Sequence, residues 1–515
     1  MLARVRTVLA PVALLLAACP RAPLPPDTVV LLVETPPETL DRRLALSAVA
    51  ENVSGNLLEP GLLRVGEDGR PVPDLADRVE QIDPVTFHFE LRPGLRFSDG
   101  SLLTADDVVA TFRSLADPAL ASPLATKYSE IERVEARSDR DVEVTLRRPF
   151  APFLVDMQLG IVPARRQAAP GQSAFGRHPI GAGPFRFVSW DDDEHLLLEA
   201  NPTYYAGAPA IGHLLVETVR DETTRALELR SGAADIAINA LSPPLLKELE
   251  AVPSLRILSQ PGADAAYLMF QTSDPVLADS RVRRAIALAI DRAAIVRYKF
   301  LGHAHLADSL LPPSNWAHAP GLPAVHRDLA QAEALLDAAG HPQPAAGPRL
   351  RLDYAISTDR FRRSVAEAMA AQLAEAGIEV RLRPLEFGTF FSDVRKGSFE
   401  LASLKWVPIV EPDLLYWVFA SPSIPTPGNG YAGGNRERFR DVELDGWLAE
   451  ARGTTDEAIR RADYARAQAR LAQAMPYFPL WYEDSVAVVR RDLEGFVPSA
   501  FGYFTGLAQA RRVRP

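Results

Sequence analysis

Stretches with an apolar residue at every second position alternate with stretches at helical spacing along nearly all of this 515-residue chain. Strands that recur with helices between them bury their faces as an α/β protein, so this alternation sets the fold class. In Val85–Leu91, Val85, Phe87, Phe89 and Leu91 fall on one face of a predicted strand. Arg92-Pro93-Gly94 then turns the chain, and Thr104 with Asp107 three residues later reads as a helix N-cap, followed by a stripe of Val108, Val109, Phe112 and Leu115. Asp141–Arg147 repeats the strand period. Leu214–Val219 predicts a strand and Glu222 onward a helix closed by Gly232. Arg281–Ile290 is an amphipathic helix with Asp291 placed to cap the next one, and later helices end at Gly340 and at Gly377, which leads into the strand Ile378–Leu382.

A chain of this length exceeds one hydrophobic core and predicts two or three domains. A formal charge of −10 without a Lys/Arg block excludes nucleic acid and a polybasic membrane patch as partners. The single cysteine is Cys19, after Leu16-Ala17-Ala18. Arg4 and Arg6 precede an apolar run from Thr7 to Leu16, too short for a spanning helix, so residues 1–18 read as an export signal. The small-small-Cys ending resembles the bacterial lipoprotein box, which implies cleavage, lipidation of Cys19, and Pro20–Pro26 as a stiff tether. An ordinary cleaved signal with an incidental cysteine is the alternative. Both place the protein outside the cytoplasm, in the periplasm or at the cell surface, and no disulfide is available within the chain.

Longer blocks carry a second resemblance. Thr86–Val109, Leu115–Pro123, Pro179–Phe185, Asn201–Gly207, Asp221–Ile236 and Asp279–Ile295 are similar, in order, to those of the family 5 extracytoplasmic solute-binding proteins, the oligopeptide/dipeptide/nickel class of ABC importer subunits. The resemblance implies a type II, periplasmic-binding-protein-like clamshell of two lobes, one with an extra subdomain. Its expected boundaries are 27–48, 179–266 and 482–515 for the core of lobe I, 49–178 for the extra subdomain and 267–481 for lobe II. Hinge strands are expected near Tyr267–Gln271 and Leu480–Tyr482. It further implies transmembrane permease and ATPase partners, a small-molecule or peptide ligand, no cofactor, and a monomer.

Peptide binders of the class carry an aspartate for the ligand's α-amine a few residues before an acidic-Pro pair. Aligning Glu411-Pro412 with that pair puts Pro408 at the aspartate's place and leaves Glu411 and Asp413 as the nearby carboxylates. The oligopeptide branch's carboxylate-pairing arginine falls on Ala402. The ligand is therefore expected to lack a free α-amine or to use Glu411. The resemblance also points to Trp406 and Val407 in the ligand-proximal segment, Ala48 and Val49 in a first-lobe stretch, Lys127 and Tyr128 in a subdomain loop, and Tyr267, Phe270 and Gln271 on a hinge strand. Plain core packing is the competing account of the aromatics.

Enzyme signatures are weak. Gly171–Gly176 is one residue too long for a nucleophile elbow and reads as a loop. Asp191–Glu194 reads as a solvated hairpin turn rather than a calcium site, and His303 and His305 form a pair without further ligands. The sequence thus predicts a lipid-anchored, non-enzymatic receptor delivering an oligopeptide-like solute to a permease. The alternatives are a receptor of the same fold for a metal chelate, sugar or other small molecule, an exported hydrolase, and a chaperone-like or sensory lipoprotein.

Overall fold

The computed structural model describes residues 24, 25, 27–167, 172–191 and 194–513. Cys19 lies outside them, as does most of the expected tether.

Two long antiparallel strands, Leu255–Phe270 and Tyr477–Arg490, form the spine. At about 3.3 Å per residue the longer one spans about 50 Å, enough to pass through two bodies. Their pairing is interrupted between Gln260 and Asp264, where the register shifts. On one side of this break, Ile236–Ile238 joins Ala487–Val489 and the sheet continues through Thr28–Val33, His213–Thr218, His195–Ala200 and Phe185–Asp191. On the other side, Leu401–Trp406 joins Ala265–Phe270 and the sheet continues through Leu350–Ser357 and Ile378–Leu385. Each half is a lobe.

Strand direction determines where the two halves face each other. Thr28–Val33, His213–Thr218 and Ile236–Ile238 run parallel, and Ile238 pairs nearer the break than Ile236 does. Leu350–Ser357, Ile378–Leu385 and Leu401–Trp406 are also parallel, and Trp406 lies opposite Ala265 beside the break. The carboxyl ends of both parallel sets therefore point at one crevice, which is where open α/β sheets place their ligands.

Thr28–Val33 (TVVLLV) is covered by other elements on both faces, as expected of a near-continuous apolar strand: Val29, Leu31 and Val33 enter one core, Val30 and Leu32 another. The Arg512 guanidinium donates to the Thr28 carbonyl at 3.2 Å, so the first strand and the end of the described chain meet in this lobe. The extra subdomain is a four-stranded antiparallel sheet ordered Ala76–Asp83, Thr86–Leu91, Asp141–Leu146, Ile131–Ala136. Phe87, Phe89 and Leu91 are buried as expected, against Val108 and Phe112 of helix Ala105–Leu115. The Thr104 N–H donates to Asp107 Oδ2 at 2.9 Å in the predicted capping box.

Helix Glu222–Ser231 ends at Gly232 with φ of 80°, and Asp291 caps Arg292–Ile295. The expected loop Gly171–Gly176 is different: Gln172–Arg177 forms a short helix. Strands Phe185–Asp191 and His195–Ala200 flank the expected acidic turn, of which Asp192 and Asp193 lie outside the described residues.

Candidate ligand-binding cleft

The crevice is closed by contacts from both sides. The Ile409 N–H donates to Ala263 O at 3.0 Å, and Val410 packs with Val155, Ala263 and Phe501. Farther out, Arg70 donates to both carboxylate oxygens of Glu457 at 2.8 and 3.0 Å and lies 5.7 Å from the Trp316 ring. Ala151 N–H donates to Arg452 O at 2.9 Å.

Within this frame the walls carry charges of both signs. On the lobe I side, Arg42 pairs with Glu51 at 3.1 Å and Lys127 with Asp156 at 3.0 Å, while the Tyr128 hydroxyl donates to Asp156 O at 2.9 Å. On the lobe II side, Arg460 pairs with Glu411, and Arg452 with Asp413 at 2.9 Å. The two sides act on each other. Burial raises the Glu411 carboxyl above its ordinary value; Arg460 opposes this and the Asp156 charge across the crevice adds to it. Asp413 is pushed up to about 7 by burial, against the pull of Arg452 and with a further push from Glu411. The Asp156 charge holds the Lys127 ammonium above its usual range, and burial pushes Tyr128 up to about 12. A cavity of about 240 Å³ opens where the subdomain meets lobe II, lined in part by Arg148, Phe150, Tyr416 and Arg452.

Residues 70–425 match the family described as bacterial extracellular solute-binding proteins, family 5 middle. The chain belongs to this family. It is 29% identical over 503 residues to the probable di/tripeptide-binding protein 5 of Pseudomonas aeruginosa, covering 92% of this chain and 94% of that protein. Against di/tripeptide-binding protein 4 of the same organism the identity is 30%, covering 95% of each. Among solved structures, NikZ from Campylobacter jejuni, in complex with Ni(L-His), superposes with a TM-score of 0.83 at 25% identity, covering 95% of this chain and 100% of that one. The two-lobed clamshell is thus the fold of this family 5 protein.

The residues singled out from sequence fall in four settings. Lys127, Tyr128, Glu411 and Asp413 come together in the ionic cluster. Trp406, Val407 and Pro408 sit at the carboxyl end of Leu401–Trp406, facing the crevice; Trp406 is half-buried and Val407 exposed. Ala48 and Val49 open the short helix Ala48–Glu51, where Ala50 N–H donates to Ser47 Oγ and Val49 packs inward.

The remaining three are packed inside lobe II. The Tyr267 ring is fully buried and stacks on Tyr477 at 4.2 Å. Phe270 points into the opposite core with Leu268, and Gln271 Nε2 donates to Gly397 O and Arg436 O. The break in the spine lies nearer Gly262 than the expected Tyr267–Gln271. Beside it Lys405 Nζ bridges Asp264 at 2.9 Å and Glu483 at 2.8 Å, tying three strands at the crossing.

Sequence reasoning missed the partners Arg42, Glu51, Asp156, Arg452 and Arg460, which no local pattern marks. His305 pairs with Asp484 and His303 Nδ1 lies 3.4 Å from Ser259 Oγ. Among the described residues no group of three or more His, Cys, Asp or Glu side chains converges on a metal position, and no helix is long and apolar enough to cross a membrane.

Proposed function

We propose that this chain is the extracytoplasmic receptor of an ABC importer, which encloses a peptide-like solute between its lobes and delivers it, unmodified, to a permease. The observation that carries this reading is the crevice at the carboxyl ends of both parallel strand sets, walled by ionic groups of both signs. A guest with polar groups or charge of either sign can exchange its water for such walls, whereas a wall of one sign would reject like charge. Lipid attachment at Cys19 would keep the receptor near its permease. Cys19→Ala is then expected to fold normally and to leave the membrane fraction, and membrane retention of that variant counts against the anchor.

Arg460 engages Glu411 and Arg452 engages Asp413, so a ligand α-amine meets no carboxylate standing free in this cluster. This supports a ligand without an essential free α-amine, either an amine-blocked peptide or a non-peptide chelate or sugar. The test is thermal stabilisation of the purified chain by matched free and N-acetylated di- and tripeptides, with mass spectrometry of the incubated peptides. A ligand at 100 times its Kd should stabilise by about 2.7 kcal/mol, with similar responses to both forms and no new products. Strong preference for the free amine would overturn the amine reading, and accumulating hydrolysis products would overturn the receptor.

A further inference from the structure

Arg436 lies in the loop that follows residue 430, its backbone held at the amino end of Leu401–Trp406, where Gln271 Nε2 donates to the Arg436 carbonyl and Gln271 N–H to Glu400 O, and only 8% of it is exposed. Its guanidinium carbon is 4.9 Å from the Trp406 ring centroid and 4.8 Å from that of Phe391, so the side chain is flanked by two rings. Phe391 belongs to helix Phe387–Lys396, which begins at the carboxyl end of Ile378–Leu385. Arg436 therefore reaches back along Leu401–Trp406 from inside lobe II, and its guanidinium comes to the ring of Trp406, the residue that ends that strand beside the crevice.

Its guanidinium acts on the buried Tyr267 hydroxyl and on the Glu437 carboxyl but has no ion-pair partner among the described residues. Its Nε is buried without an acceptor. Glu437 next to it is fully buried with both carboxyl oxygens unpartnered. Burial raises that carboxyl well above its usual range, against the pull of the Arg436 charge beside it. The loop is rigidly held: Asn435 Nδ2 donates to Phe419 O, Ala420 O and Phe439 O, and Thr272 donates to Glu437 O through both N–H and hydroxyl. A guanidinium held over aromatic rings keeps N–H donors that can take a carboxylate. A buried cation without a partner is costly unless an anion arrives to complete it.

We infer that Arg436, flanked by Trp406 and Phe391, is an anion subsite of the cleft that takes a carboxylate of the bound solute. This rests on the receptor reading and adds that the solute bears an acidic group reaching lobe II. The position differs from Ala402, where the oligopeptide branch's carboxylate-pairing arginine would fall.

The test uses the full chain and probe pairs differing in one carboxylate: Ala-Glu against Ala-Gln, and Ala-Gln against its C-terminal amide, read by calorimetry. A charged hydrogen bond to a carboxylate predicts a preference of about tenfold or more for the acid member of at least one pair. That preference should disappear in Arg436→Met, which removes the charge and keeps an unbranched apolar stem, and persist in part in Arg436→Lys. Loss of an unpaired buried charge should leave the melting temperature of ligand-free Arg436→Met unchanged or raised. Equal binding of acid and amide by the parent chain, or an acid preference that survives Arg436→Met, overturns the subsite. So does a lowered melting temperature with an unchanged preference, which would make Arg436 a structural partner of Glu437. If no peptide binds, the peptide reading falls, and glutarate in the same assay decides the subsite separately. Saturable stabilisation of the parent chain that is absent in Arg436→Met supports it, and no stabilisation overturns it.

Discussion

Glu411 and Arg460 form an ion pair in which both side chains are largely buried, 16% and 10% exposed. Removing one member of such a pair strands the other charge in a low-dielectric setting, at a cost of about 3–5 kcal/mol, whereas replacing both with apolar groups is often nearly neutral. Glu411→Gln should therefore lower stability in denaturant titrations by several kcal/mol, and Glu411→Met with Arg460→Met should recover much of the loss. An undiminished loss in the double variant would mean that packing, not charge, sets the cost. The carboxylates at 411 and 413 were legible in the sequence, but their arginines were not: they lie 49 and 39 positions away, and nothing local encodes which helix will face which loop. Arg436 was silent for the same reason, since its significance comes from rings on a different strand and helix.

Elements were more legible than contacts. The period-two run at Thr86–Leu91 and the capping pair Thr104/Asp107 are specified by adjacent residues, and the structure matches them nearly residue for residue. The break in the spine was missed because both long strands are apolar along most of their length, which hides any change of partner. A signal was present in Pro261-Gly262, a dipeptide that interrupts strand pairing. At Gly262 an added Cβ would sit 2.2 Å from the Glu483 carbonyl oxygen and 3.0 Å from the Ser485 nitrogen. Both are backbone atoms, so Gly262→Ala must separate the strands where the lobes join. A loss of about 1–3 kcal/mol is expected, seen as a lower melting temperature. An unchanged melting temperature together with unchanged ligand affinity would show that the crossing tolerates being pushed apart.

At the scale of the molecule, strand and helix alternation gave the α/β class and the family resemblance gave the clamshell. That one sheet runs through both lobes, across the break in its spine, was not legible, because sheet continuity is a matter of long-range pairing. The outer latch is Arg70 with Glu457, both near half exposed, so it is worth about 1 kcal/mol or less and is screened by salt. The Glu457 carboxyl is held down at about 2 by Arg70 and Arg461. A depressed carboxyl contributes fully above its unfolded value near 4.3 and loses that contribution as pH falls toward 2, so the latch is intact at neutral pH. Arg70→Ala should enlarge the ligand-free radius of gyration in small-angle scattering at pH 7 and low salt. The same change should appear in the parent chain at high salt, and ligand affinity should fall by less than about fivefold. Identical scattering from variant and parent would assign closure to the inner contacts at Ala263 and Val410.

Because the Arg512 side chain grips the Thr28 carbonyl, the two extremities of the folded body emerge from a single jaw, and the opposite jaw is threaded only through the central strand pair. A fluorophore fused beyond Arg512 thus rides on one jaw, while a second at the exposed Val442 rides on the other. Energy transfer between them would report opening and shutting optically, without a dye inside the crevice.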